Sequence, residues 1–254
     1  MPKVWRIVDL IQWSESYFRE KSHQSPRLEI EWMLCSLLNC ERLDLYMRFD
    51  EPLSGSQLST LRGWVKRRSK NEPLQYITES CEFYGIEFFV DKRVLIPRQE
   101  TERLIDEAIK SIKHVRSPNI FDIGTGSGCI AITLAKEIEN SKVIGIDKSM
   151  MSLQVAKKNS AELNVDNVTF FEMDILNQYP KEKFDLVISN PPYIPKKEIP
   201  GLMKDVKDFE PKIALTDFDD GLTFYKRISK IIPHILNCLL YTSPSPRDVE
   251  ESRM

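Results

Sequence analysis

Asn119-Ile120-Phe121-Asp122-Ile123-Gly124-Thr125-Gly126-Ser127-Gly128 joins a short apolar segment to glycines at every second position, and Cys129-Ile130-Ala131-Ile132 follows at once. The first part has the character of a strand buried on both faces, and the last part that of a helix start. The glycines between them let the backbone turn tightly and approach a ligand without interference from Cβ. The chain on either side repeats the theme. A helix is expected over 100–113, carrying Leu104, Ile105, Ala108, Ile109 and Ile112, ahead of the strand NIFDIG. A helix over 129–138 precedes the strand KVIGID, and a helix over 150–163 precedes VTFFEMD. FDLVISN reads as a fourth strand. Apolar strands alternating with amphipathic helices predict an α/β fold with a parallel sheet covered on both faces. Such a sheet binds ligands beyond the carboxyl ends of its strands.

Upstream the pattern changes. From residue 5 to about 70 the apolar spacing is helical, with no alternating run long enough for a buried strand. Ser25-Pro26 predicts a helix start that turns Leu28, Trp32, Cys35 and Leu38 inward. A later helix carries Leu58, Leu61, Trp64 and Val65 and stops at Asn71 and Pro73. The basic run Lys66-Arg67-Arg68-Ser69-Lys70 is read as a solvated face at that helix's end. Glu82 to Val90 places aromatic and β-branched residues around Gly85, which predicts a β-hairpin. The expected organisation is a helical domain over 1–73, a hairpin linker over 74–97 and an α/β domain over 98–237.

Composition narrows the class. The chain has 254 residues with 36 basic and 38 acidic side chains, a formal charge of −2, so no global field favours a phosphate backbone. Direct nucleic-acid binding is disfavoured. Cys35, Cys40, Cys81, Cys129 and Cys238 form no zinc-type spacing, so reduced thiols and no metal are expected. No run approaches the ~20 apolar residues of a membrane span. The opening MPKVWRIVDL lacks the apolar core of a signal peptide. A cytoplasmic monomer is expected.

Two constellations carry chemistry. Gly124, Thr125, Gly126, Ser127 and Gly128 have GxGxG spacing, with Cys129 where a dinucleotide fingerprint wants its third glycine, which disfavours a pyrophosphate. Asp147 ends the second strand, where a carboxylate can accept from two vicinal ribose hydroxyls, and Asp174 ends the third, where an acceptor can meet an adenine amino group. Together these describe a pocket for an adenosine without phosphates. The fourth strand ends in Asn190-Pro191-Pro192-Tyr193. A planar amide nitrogen is a poor nucleophile and must be aimed at its electrophile. The Asn190 side-chain oxygen and the Pro191 carbonyl can take its two hydrogens, and Tyr193 offers a flat face beside it.

With these stretches the chain resembles the HemK/PrmC family of glutamine N5-methyltransferases. The resemblance runs from residue 5 to about 237 and rests on EFYG, LIPRQETE at 95–102, FDIGTGSGCIAI, ISNPPYIP, FEPKIAL and DGL. It implies a Rossmann-like class I methyltransferase sheet with a small N-terminal helical domain joined by a hairpin. It implies S-adenosyl-L-methionine as cofactor, held by Gly124 to Gly128, Asp147, Asp174 or Ile175, and Asn190. Asn190, Pro191, Pro192 and Tyr193 would hold the acceptor amide. The implied partner is a peptide chain release factor, methylated on the glutamine of its GGQ loop. Alternatives are a ribosomal-protein glutamine methyltransferase, an adenine-N6 or guanine-N2 nucleic-acid methyltransferase, and an inactive cofactor-binding protein. The family would continue past Asn237 with further strands, whereas residues 238–254 read like a translated sequencing adapter, so a non-native tail and missing C-terminal strands are expected.

Overall fold

The computed structural model describes residues 4–21 and 23–237. The chain divides into two compact units that meet between Glu79 and Ser80. The expected tail over 238–254 lies outside the described residues, as does any strand there.

The first unit is helical: α1 Ile7–Glu20, α2 Pro26–Leu38, α3 Arg42–Met47, α4 Gly55–Arg68 and α5 Leu74–Thr78. Its core is built from Ile7, Ile11, Phe18, Ile30, Met33, Leu34, Leu45, Leu61 and Val65. Ser25 and Pro26 do start α2, but the inward stripe is Ile30, Met33 and Leu34, while Leu28 and Trp32 stay exposed. The helix is apolar on more than one side, so spacing alone does not choose between the stripes. What turns it is Glu31. This side chain is 1% exposed and accepts from Arg27 Nε at 2.8 Å, Arg42 Nε at 2.6 Å and the Tyr46 hydroxyl at 2.8 Å. Burial alone would raise a carboxyl; these three donors hold Glu31 below its ordinary range.

The basic run at the end of α4 is also not a plain solvated face. Arg68 makes a bidentate pair with Glu29, both contacts 2.8 Å, and Arg67 pairs with Glu72 at 2.8 and 2.6 Å. Lys66 and Lys70 are exposed. Asn71, with φ +66°, ends the turn after α4 in the left-handed conformation that asparagine tolerates.

The second unit opens with the hairpin β1 Ser80–Phe83 and β2 Ile86–Phe89. Tyr84 and Gly85 have φ of +53° and +69°, the two positive values that a two-residue turn matched to strand twist requires. Residues 74–78 form a helix of the first unit, and the hairpin belongs to the second. There follow α6 Glu102–Ile112, β3 Asn119–Ile123, α7 Cys129–Glu137, β4 Lys142–Asp147, α8 Met150–Glu162, β5 Val168–Glu172, β6 Leu186–Ser189, α9 Lys204–Phe209, α10 Lys212–Leu215 and α11 Thr223–Ile235.

β3 to β6 form a parallel sheet in the order β5-β4-β3-β6. Side chains alternate across it. Ile120, Val143 and Phe170 pack with α6, α7 and α8 on one face; Phe121, Ile123 and Ile146 pack with Ile228, Ile231 and Ile235 of α11 on the other. Phe121 stacks on Phe184 with centroids 4.6 Å apart. Beyond α11, the Asn237 amide donates to the Phe184 carbonyl at 2.8 Å, so the chain starts to run alongside the β6 edge. Among the described residues no helix is long and apolar enough to cross a membrane.

Candidate active site

The order β5-β4-β3-β6 means that the chain leaves β3 to build β4 and β5 on one side and returns to place β6 on the other. That reversal is where a parallel sheet opens a crevice at its carboxyl ends. Ile123 is in register with Ile146 on one side and with Ser189 on the other. The residues that follow, Gly124, Asp147 and Asn190, therefore leave the sheet at one level.

The glycine turn is held by short backbone bonds. Gly124 and Thr125 both donate to the Ile146 carbonyl at 2.8 Å, and Gly128 donates to Thr125 at 2.8 Å. Gly124, Gly126 and Gly128 all have positive φ, at 77°, 55° and 82°. At Gly128 a Cβ would lie 2.9 Å from Ile132, 3.1 Å from Ala156 and 3.2 Å from Phe170, so α7 seats close against the sheet only because none is there. At Gly124 a Cβ would meet nothing within 4 Å; it would instead occupy open space above the turn.

Asp147 closes this side. Its Oδ2 accepts from the Gly126 amide at 3.0 Å and its Oδ1 from the Ser149 amide at 2.8 Å. Burial pushes its pKa up, and those amides pull against the rise. A carboxylate has about four acceptor positions, so both oxygens retain capacity for a diol. Asp174 differs: Lys148 Nζ at 2.9 Å, the Leu176 amide at 3.1 Å and Asn177 Nδ2 at 2.9 Å already engage its two oxygens. Burial raises its carboxyl, and these donors more than reverse the effect. Ile175, 4% exposed, points into the core with Phe121, Phe184 and Ile228, so its side chain is not brought to the crevice. Thr125 and Ser127 are buried as well.

Asp122 lies within β3. Its carboxyl is fully buried beneath the glycine turn, and neither oxygen, nor the Thr125 hydroxyl, has a partner in hydrogen-bonding geometry. Desolvation pushes its pKa up to about 7; Thr125 and the Ala131 amide lie near enough to restrain it, and the charge of Asp147 adds to the rise. The open space that a Cβ at Gly124 would enter leaves room for a ligand laid across the turn.

On the other side of β3, Ser189 Oγ donates to the Ile123 carbonyl at 2.8 Å, and Asn190 Nδ2 donates to Thr101 Oγ1 at 3.1 Å. Pro191 is buried; Pro192 and Tyr193 are half-buried. Burial pushes the Tyr193 hydroxyl up, opposed by nearby Arg98. The segment is then pinned from its far end. The Ile194 amide donates to Leu215 at 3.0 Å and the Lys196 amide to Asp219 at 3.0 Å. Gly221, at φ +82°, presses so close that a Cβ would lie 2.2 Å from the Tyr193 carbonyl oxygen. Asp217 holds that turn, taking the amides of Asp219 at 2.9 Å, Gly221 at 3.0 Å and Thr223 at 3.0 Å. Burial works against ionisation of Asp217, but the donors prevail and hold the carboxyl at about 2.

Several positioning groups gave no local signal in the sequence. Arg98 Nη2 donates to the buried Glu210 at 2.5 Å, joining LIPRQETE to FEPKIAL. Asn159 of α8, 1% exposed, takes the Phe89 amide at 2.8 Å and donates to the Phe89 carbonyl at 3.0 Å and the Ser127 carbonyl at 2.9 Å, tying the hairpin to the glycine turn. Each links segments too distant in sequence for spacing to relate them.

Gly221→Ala is expected to lower the free energy of unfolding by more than about 1 kcal/mol, because the positive φ and the Tyr193 carbonyl both resist a Cβ. Denaturant titration checks this, and an unchanged midpoint would contradict it. For Asp122 the sign is set by its raised pKa. The folded protein holds the proton longer than the unfolded chain, so stability falls as pH rises from about 4 to about 7 and is level in this respect above that. Asp122→Asn should therefore gain on the parent across that window, by on the order of 2–4 kcal/mol at most. A difference between the two melts that does not vary with pH would refute it.

Two family models match this chain: the PrmC N-terminal domain over residues 9–78 and the methyltransferase small domain over residues 101–204. A solved S-adenosylmethionine-dependent methyltransferase from Geobacter sulfurreducens, in complex with S-adenosyl-L-homocysteine, is 25% identical over 34% of this chain and 35% of that one, with a TM-score of 0.31. The release factor glutamine methyltransferase of Chlorobaculum tepidum is 38% identical over 92% of this chain and 83% of its own length. That of Geobacter sulfurreducens is 41% identical over 93% of this chain and 82% of its own length. With such similarity sustained across both units, the chain belongs to the release factor glutamine methyltransferase family.

Proposed function

We propose that this protein transfers the methyl group of S-adenosyl-L-methionine to the side-chain amide nitrogen of a glutamine in a peptide chain release factor. The observation that carries this reading is the pairing of two strand ends on either side of β3. Asp147 and the glycine turn stand on one side, and Asn190 with the Pro191 carbonyl on the other, at one level of the sheet. The names of the relatives favour the release factor over a ribosomal protein or a nucleic acid.

S-adenosyl-L-methionine, when bound, supplies a methyl group activated by its sulfonium. Gly124 to Gly128 would hold it along the glycine turn, over the open space that a Cβ at Gly124 would fill. Asp147 would take the ribose hydroxyls with its remaining lone pairs. Asp174 is the candidate acceptor for the adenine amino group, through lone pairs not taken by Lys148, Leu176 and Asn177.

The acceptor side works by positioning. A glutamine amide nitrogen has its lone pair delocalised into the carbonyl. The Asn190 oxygen and the Pro191 carbonyl each take one of its hydrogens and so fix where the nitrogen points. Proline has no amide hydrogen of its own to compete, and its fixed φ keeps the preceding turn rigid. Tyr193 lies flat against the planar group. The proton leaves late, to water, because a positively charged amide-derived product loses it readily. A cytoplasmic monomer acting on the GGQ loop of the release factor completes the reading.

The test is methyl transfer from labelled S-adenosyl-L-methionine, with a recombinant release factor and a duplex oligonucleotide side by side. Label is expected on the release factor, lost when the GGQ glutamine is replaced, and reduced at least about a hundred-fold by Asn190→Ala, the scale for a misplaced reacting group. Label on the oligonucleotide instead would overturn the substrate class.

A further inference from the structure

A primary carboxamide has two ends of similar size and opposite hydrogen-bonding sense. Turned one way, Asn190 shows its oxygen to an acceptor amide and can take one of its hydrogens. Turned the other way, it sets N–H2 against N–H2 and the acceptor loses its guide. A neighbour that bonds the amide limits its freedom to turn.

Thr101 is bonded to the Asn190 side chain. It ends the short turn Gln99–Thr101 ahead of α6, where its amide donates to the Arg98 carbonyl at 3.0 Å, and it is 8% exposed. Its Oγ1 stands 3.1 Å from Asn190 Nδ2. The backbone around it is anchored on both sides. Arg98 is paired with the buried Glu210, and Glu102 takes the Tyr84 amide at 3.0 Å. Asn190 is steadied from its own strand by the Ser189 bond to Ile123 at 2.8 Å.

We infer that Thr101 is the positioning residue that restrains the Asn190 amide, its Oγ1 accepting from Nδ2 so that the side chain is held for its oxygen to meet the acceptor glutamine. This rests on the glutamine-amide function proposed above. Thr101 touches neither substrate nor cofactor in this role; it acts through Asn190. The role gives the threonine of LIPRQETE a chemical purpose separate from that of Arg98, which pairs with Glu210, and of Glu102, which takes the Tyr84 amide.

Two readouts on the full chain test it. The first needs no substrate: the Asn190 side-chain N–H2 resonance of 15N-labelled protein, identified by its disappearance in Asn190→Ala. Its exchange with solvent should be slow in the parent and markedly faster in Thr101→Val. The second is steady-state methyl transfer to the release factor. Thr101→Val should lower kcat about ten-fold, the scale of one hydrogen bond, and Thr101→Ser should restore most of it, with the thermal midpoint of either variant lowered by no more than a few degrees. An Asn190 resonance or a kcat indifferent to Thr101→Val would overturn the inference. So would a loss that Thr101→Ser fails to rescue and that follows a lowered midpoint, since this is what mere packing predicts. If the parent itself labels no release factor, the substrate reading fails, while the resonance still decides whether Thr101 holds the amide.

Discussion

The register of β3 with its two neighbours is the constraint on which the rest of the site depends. Parallel strands hydrogen-bond at fixed offsets, and a one-residue slip moves every side chain to the opposite face. Because Ile123 sits opposite both Ile146 and Ser189, the glycine turn, Asp147 and Asn190 leave the sheet together. The slip is blocked from both faces: Ile120 is committed to the core under α6, and Phe121 stacks on Phe184 under α11. The chemistry of the two strand ends is thus placed by packing several residues away from it.

The charges of the site divide by how they are solvated. Asp217 is supplied with backbone amides and is held ionised at about 2, where its work is to brace the turn behind Tyr193. Asp122 lies under the glycine turn without such donors and is pushed to about 7. Asp147 stands between them, buried but bonded to Gly126 and Ser149. An ionised group beside the cofactor turn is costly in an apolar setting and is retained where a ligand can repay it. The groups meant for the acceptor, the Asn190 amide and the Pro191 carbonyl, are neutral, which suits a neutral amide substrate.

Much of this was legible in the sequence because it is local. The strand NIFDI, the glycine turn and the start of α7 are contiguous, and Asn190 to Tyr193 follow their strand directly. The helix stop at Asn71 and the hairpin turn at Tyr84-Gly85 could likewise be read from single residues. What could not be read is what joins distant segments: Thr101 with Asn190, Arg98 with Glu210, Asn159 with both Phe89 and Ser127. The inward face of α2 is illegible for a related reason. A helix rich in apolar residues is turned by Glu31 and its partners Arg27, Arg42 and Tyr46, and a buried carboxylate has no periodic signature. Arg67 and Arg68 read as solvated charge until Glu72 and Glu29 are brought to them.

The central claim is that the end of β6 presents a planar amide, by its nitrogen, to the cofactor side of β3. Fragment-ion mass spectrometry of release factor treated with this protein and S-adenosyl-L-methionine tests it most directly. The account predicts one methyl increment on the side chain of a single glutamine in the GGQ loop, stable to the mild base that removes a carboxyl methyl ester. A methyl group on a carboxylate, a lysine or a backbone position would contradict it.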